Sequence, residues 1–168
     1  MEDKSNSYLK MKNYFEELAE NSKDINSFSG YSNTELKTKE SNDELEEPYL
    51  AIFDYSLGLS GPEQNTISVR KLSFAVVFNN VPEDDFELRY KAIDDAEDIV
   101  LQVLAMIKHH SSIKNHFLYN SFMKDSVEID DLELNAKSFG SVCYLELKNN
   151  TALKLQKDRW NFVPDNCN

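Results

Sequence analysis

Three histidines, two cysteines and 30 carboxylate side chains are the groups through which this 168-residue chain could do chemistry. His109 and His116 are seven residues apart and could share one helix face, with His110 beside them. A metal centre needs three or four ligands with supporting hydrogen bonds. No cysteine lies near these histidines, and the nearest acid is Asp125. They therefore read as polar residues at a helix end, and no metal is expected. Cys143 could pair with one of them as a thiol nucleophile, but a reactive thiol sits in an accessible, electropositive setting. Cys143 lies inside the apolar run Ser141-Val-Cys-Tyr-Leu-Glu-Leu147 and reads as a small buried hydrophobe. Cys167 is second from the end, so a bridge between the two is not expected, which fits a reducing compartment.

The carboxylates fall in two groups that could act as paired acids or hold a cation. Asp94, Asp95, Glu97 and Asp98 lie on a helical stretch, and a charge run there reads as its solvated face. Asp125, Glu128, Asp130, Asp131 and Glu133 form a second run with a better claim to a working surface. The four glycines stand at 30, 58, 61 and 140, too scattered for a phosphate-cradling loop. No hydrolase motif is present either. The expectation is a protein without catalytic residues and without a cofactor.

Composition sets the outer bounds. Acidic residues outnumber basic ones 30 to 18, for a net charge of -12. A surface of that sign repels phosphate backbones and disfavours general nucleic-acid binding. No apolar run approaches the roughly 20 residues of a membrane span, and Met1 to Asn6 is polar, which predicts no secretory leader and no membrane partner. Ten Phe, eight Tyr and one Trp can anchor a core, and the length suits a single domain, residues 1–168.

Tyr8, Met11, Phe15 and Leu18 recur at helical spacing and predict a short helix over 8–20, with Ser7 available as a cap. Residues 21–47 are rich in Ser, Asn, Glu and Lys, and read as a polar insert unable to order itself without an outside partner. Strands are expected over 48–55 and 67–79, separated by turn chemistry at Gly58, Gly61 and Pro62. Leu72, Phe74, Val76 and Phe78 share one face of the second strand. Pro82 followed by Glu83, Asp84 and Asp85 opens a long helix over 84–109, and its apolar stripe runs from Phe86 to Ile107. A further short element is expected over 113–122. Strands follow at 127–134, with a phase break at Asp130-Asp131 that suggests a bulge, and near 139–147. Leu153 and Leu155 could add an edge strand. Trp160, Phe162 and Val163 read as a late cluster folded onto the core, in a C-terminal extension of 151–168. The order α, polar insert, β, β, long α, β, β predicts an α+β fold: an antiparallel or mixed sheet, one long helix on a face, and a short N-terminal helix.

Three passages carry a resemblance. They are Tyr49-Leu-Ala-Ile-Phe-Asp-Tyr-Ser-Leu-Gly58, the strand Arg70-Lys-Leu-Ser-Phe-Ala-Val-Val-Phe78 with the acidic helix that follows it, and Phe139-Gly-Ser-Val-Cys-Tyr-Leu-Glu-Leu147. Over roughly residues 8–150 the chain resembles the tail-terminator or tail-completion proteins of tailed bacteriophages, in particular a group from Bacteroidetes phages and prophages. The aromatic-Gly pair leading the final strand, Phe139-Gly140, matches that group. The resemblance implies a structural virion protein of the head–tail junction, assembled in the host cytoplasm. It implies a ring of six or more copies, contacts with other neck or tail proteins, and DNA passing without specific binding. It brings no catalytic residues. The lumen or interface would be formed by Asp125, Glu128, Asp130, Asp131 and Glu133 or by the loop around Gly58 and Gly61. Lys148, Lys154, Lys157, Arg159 and Trp160 would meet the acidic face of a neighbour. A reading of another class stands beside it: an acidic cytoplasmic interaction protein, either a DNA mimic or a toxin-neutralising partner, whose carboxylates occupy a basic site.

Overall fold

A computed structural model describes residues 8–150 together with Leu153 and Arg159–Asn161. Alternating apolar residues build a five-stranded mixed sheet in the order β1-β2-β3-β5-β4. The strands are β1 (Ser27–Ser29), β2 (Tyr49–Ser60), β3 (Ile67–Phe78), β4 (Glu128–Asn135) and β5 (Ser138–Asn150). β1 runs parallel to β2, and the other pairings are antiparallel. The helices are α1 (Tyr8–Asn21), α2 (Asn33–Ser41) and α3 (Phe86–Ser112). The α+β reading holds, with the long helix and the short N-terminal helix both present.

β3 is the central strand, and its period-2 pattern feeds two cores at once. Leu72, Phe74 and Val76 face α1 and α3 in one cluster with Leu50, Ile52, Cys143, Leu145 and Leu147. Ala75 and Val77 face the other way and join Tyr49, Ala51 and Val142 under Leu36 of α2. α3 supplies Ala96, Val100, Val103, Leu104 and Ile107 to the first cluster, and α1 supplies Met11, Tyr14, Phe15 and Ala19. Fully burying a large apolar side chain stabilises the fold by about 1.5–3 kcal/mol. This helix-covered face therefore dominates the stability. α3 begins where the acidic N-terminal signal placed it: Asp85 is the cap, its carboxylate accepting from the Leu88 N–H at 3.0 Å.

Several expectations need correction. Residues 21–47, read as unable to order themselves, hold β1 and α2. Ile25 and Phe28 are buried on the helix-covered face, and Leu36 and Leu45 on the opposite one. The chain wraps the sheet edge, so no single element shows a periodic apolar stripe. No helix or strand forms over 113–122, where a short element was expected; a series of turns runs back to an isolated bridge between Phe122 and Leu147. β4 has no bulge at Asp130-Asp131, where both residues pair in register with β5. The phase break is a change of face: Ile129 joins the helix-side core, whereas Leu132 and Leu134 join the other. The register shift lies between Glu133 and Asn135. β2 runs on through Gly58 to Ser60, so the turn shrinks to residues 61–66. Trp160 is 58 % exposed rather than packed on the core, and Leu153 is 67 % exposed and not in a strand. Ser7, Leu155, Phe162, Val163 and Cys167 lie outside the described residues.

Candidate functional site

The acidic run lies on one edge of the sheet. Asp125 sits in a single 3-10 turn, Lys124–Ser126, and Glu128, Asp130, Asp131 and Glu133 follow along β4. All five are exposed. Alternation splits the four strand residues between faces: Glu128 and Asp130 stand opposite Tyr144 and Val142 on the face that carries α2, and Asp131 and Glu133 on the face that carries α1 and α3. β4 pairs only with β5, so its outer backbone edge is free among the described residues. Charged side chains on such an edge oppose pairing with another strand.

The opposite edge differs in chemistry. β1 covers only Tyr49–Ala51 of β2. From Ile52 to Ser60 the outer side of β2 has no strand partner among the described residues. A register shift between Ile52 and Asp54 leaves Phe53 as the extra residue, and after it Tyr55 turns to the helix-side core. Leu57 and Leu59 continue that row and are 51 % and 53 % exposed. Gly58 sits between them, also exposed, and Gly61 takes φ 90° at the turn that closes the β2–β3 hairpin. The structure thus joins Gly58 and Gly61 to the free edge of β2, at the far side of the sheet from the β4 carboxylates.

The basic residues are less grouped. Lys148 is half-buried near the end of β5, while Arg159 and Trp160 are exposed. Lys154 and Lys157 lie outside the described residues. Lys71, on the open sheet face, pairs with Glu146 at 3.4 Å.

The histidines meet in a way the sequence did not suggest. His110 and His116 stack with ring centres 4.5 Å apart, and the His109 ring lies 5.9 Å from that of His110 at a tilt. The Tyr14 hydroxyl lies 2.9 Å from His110 Nδ1. These rings close one end of a cleft of about 480 Å³ between α1 and α3, floored by Leu18, Ile99, Val103 and Met106. Burial lowers the pKa of both histidines, each helped by its positively charged neighbour and opposed by Glu17. No group of three or more metal-ligating side chains exists among the described residues.

Cys143 is fully buried, and burial pushes its thiol up to about 12, which suits a core hydrophobe and not a nucleophile. Asp94, Asp95, Glu97 and Asp98 border an open groove with Lys23 and Asp24. Asp95 is paired with Lys91 one turn away. Among the described residues, no helix is long and apolar enough to cross a membrane.

Sequence reasoning passed over one residue. Arg70, in the first half of β3, is 0 % exposed. A charge at a position that alternation assigns to the core was the signal. No family model matches this chain, and no curated protein or solved structure matches it.

Proposed function

We propose that the chain is a ring-forming structural component of the head–tail junction of a tailed phage, a tail-terminator or neck protein without catalytic activity. The observation that carries this reading is the unprotected edge of β2. Monomeric proteins guard a free edge with charge, proline or a bulge that turns it away. Past the bulge at Phe53, from Tyr55 to Ser60, this edge offers no charge and no proline, and it displays Leu57 and Leu59. Six residues at about 3.3 Å each give roughly 20 Å of backbone ready for a second copy. The β4 edge carries the opposite chemistry, since its carboxylates keep strands away. A ring requires that a patch other than β2 on the next copy meet this edge, since β2 against β2 gives only a two-fold pair, and such a head-to-tail contact closes when the rotation allows.

In this reading the β2 hairpin and the exposed Arg159 and Trp160 take part in subunit contacts. The row of Asp125, Glu128, Asp130, Asp131 and Glu133 lines the channel. Carboxylates there offer phosphates no partner and let DNA pass without being held.

The test is the native mass of the full chain, with electron microscopy of the same sample, for wild type and for a Leu57→Asp, Leu59→Asp double variant. Wild type should form closed rings of six or more copies, and the variant should remain a folded monomer. A wild-type chain that stays monomeric and instead binds a basic protein, with affinity collapsing as salt rises, would establish the acidic-mimic reading in place of this one.

A further inference from the structure

Arg70 sits on the helix-side face of β3, between Leu57 of β2 and Leu147 of β5. It is the largest fully buried side chain in the molecule's described part. A guanidinium stays charged under all ordinary conditions and presents five N–H donors. Buried cations are found with an anion beside them, because the interior does not replace water's solvation. Here the described residues supply none. Nη1 donates to the Asn149 amide oxygen at 2.6 Å, and Nη2 lies 3.4 Å from the Ser68 hydroxyl. Nε has no partner. Burial lowers the pKa of the group, and it is opposed by the Tyr55 hydroxyl, which is within hydrogen-bonding reach of the guanidinium, and by Tyr31, neither of which is an anion.

A second orphan lies beside it. The Tyr31 hydroxyl is buried and also unpartnered. Tyr31 belongs to a tyrosine cluster: its ring centre is 4.3 Å from Tyr8 and 5.7 Å from Tyr55, and Tyr8 is 5.1 Å from Tyr55. Tyr8 belongs to the first turn of α1 and is 52 % exposed, so one wall of the cluster reaches solvent. The N-terminal end of a helix adds positive potential at that wall.

We infer that Arg70 and Tyr31 form a binding site for an oxyanion, a carboxylate or phosphate group, that enters past Tyr8. The group accepts from Nε, from the free Nη hydrogens and from the Tyr31 hydroxyl, and its charge offsets that of the guanidinium. Carboxylate and phosphate share the planar edge of two oxygens that a guanidinium fork recognises. The anion comes either from solution or from an acidic side chain of a second copy. This inference goes beyond the ring reading and does not require it.

The experiment uses the full chain with sodium phosphate as probe, against sodium chloride at equal ionic strength, followed by calorimetric titration, thermal unfolding and native mass. Wild type should give a saturable heat and a melting temperature that rises with phosphate. Arg70→Met should weaken phosphate about tenfold or more, the loss expected for a charge-assisted hydrogen bond. Tyr31→Phe keeps the ring and the packing, and should weaken phosphate by a smaller factor. If the anion is a free one, native mass is the same in all three proteins. If a second copy supplies the carboxylate, Arg70→Met is lower in mass than wild type, and phosphate dissociates the wild-type assembly. A wild type indifferent to phosphate, with Tyr31→Phe unchanged in mass, overturns the inference, and this holds even if Arg70→Met does not fold.

Discussion

Three glycines on or beside the sheet make a graded test of the architecture. Gly140 lies in β5 between β3 and the edge strand β4, opposite Val77 on one side and Leu132 on the other. A Cβ added there would fall deep inside van der Waals contact of the Val76 carbonyl oxygen, 2.9 Å from the Val76 carbonyl carbon and 3.0 Å from Val77 Cα. All three are backbone atoms of the central strand, so no side chain can rotate to make room. Overpacking of a rigid site costs about 1–3 kcal/mol, and occasionally more. Gly140→Ala belongs at the upper end, about 3 kcal/mol. For a chain of this size, roughly 2–4 °C of melting temperature follows each kcal/mol, so a fall of about 6–12 °C is expected. Gly61 is intermediate: at φ 90° an L-residue is strained, and its Cβ would meet the Asn65 carbonyl oxygen at 2.5 Å. The turn is exposed and can shift, so Gly61→Ala should cost about 1 kcal/mol. At Gly58 a Cβ would meet only the Val69 carbonyl oxygen, at 3.8 Å, which is ordinary contact. Gly58→Ala should be neutral or stabilising by a few tenths of a kcal/mol through the unfolded chain. The assay is thermal unfolding of the three variants by circular dichroism. A Gly140→Ala protein melting within 2 °C of wild type (about 0.5–1 kcal/mol by the same scaling) would refute the β3–β5 register from which the clash follows.

Two further predictions concern the end of α3. The buried Ser111 hydroxyl accepts from the backbone N–H of Ser121 at 3.0 Å and of Phe122 at 3.1 Å. Ser111→Ala leaves the Phe122 N–H without its partner, while the Ser121 N–H keeps the Leu118 carbonyl at 2.9 Å, and should destabilise by about 1–2 kcal/mol, read as an earlier denaturant midpoint with an unchanged slope. The His110–His116 stack predicts a pH dependence. Burial depresses both pKa values in the fold, so the unfolded chain binds more protons below its own histidine pKa of about 6.5. The stability they contribute is therefore complete above that pH and is lost as pH falls through the lower folded values. His116→Gln should flatten the decline of melting temperature between pH 7 and 5, and an unchanged slope would remove the stack as its cause.

The elements that the sequence made legible are those whose apolar residues keep one period over one element. β3 is buried on both faces for most of its length, and α3 is a long amphipathic run with a proline-acid start. α2 escaped because Leu36 is its only buried residue. Its start was nevertheless written: Ser32 and Glu35 have capping-box spacing, and the Ser32 hydroxyl accepts from the Glu35 N–H at 3.3 Å. β4 was misread because a strand at the rim can give apolar residues to either face, and a change of face resembles a slip in register. The acidic run was visible as composition, but its place on an edge was not, since strand order depends on pairings distant in sequence. The same limit hid the meeting of His110 with His116 and Tyr14, and the isolation of Arg70.

Charge and topology together narrow what this molecule can do with its copies. A net charge of -12 opposes association of identical chains unless the contacts avoid the acid. The fold separates the two: the carboxylate row lies along β4, and the uncharged stretch of β2 lies three strands away across the sheet. The acidic residues of α3 border their own groove beside Lys23 and Asp24 rather than the β2 hairpin. An association through β2 therefore brings neutral backbone and leucine together while the carboxylates stay in solvent, where salt screens them within about 8–10 Å. It follows that raising ionic strength should strengthen a contact made through β2, because the net repulsion between chains of charge -12 is what salt screens there. A DNA mimic behaves in the opposite sense, since its affinity is the attraction that salt removes. The sign of the salt dependence thus separates the two readings without knowledge of any partner.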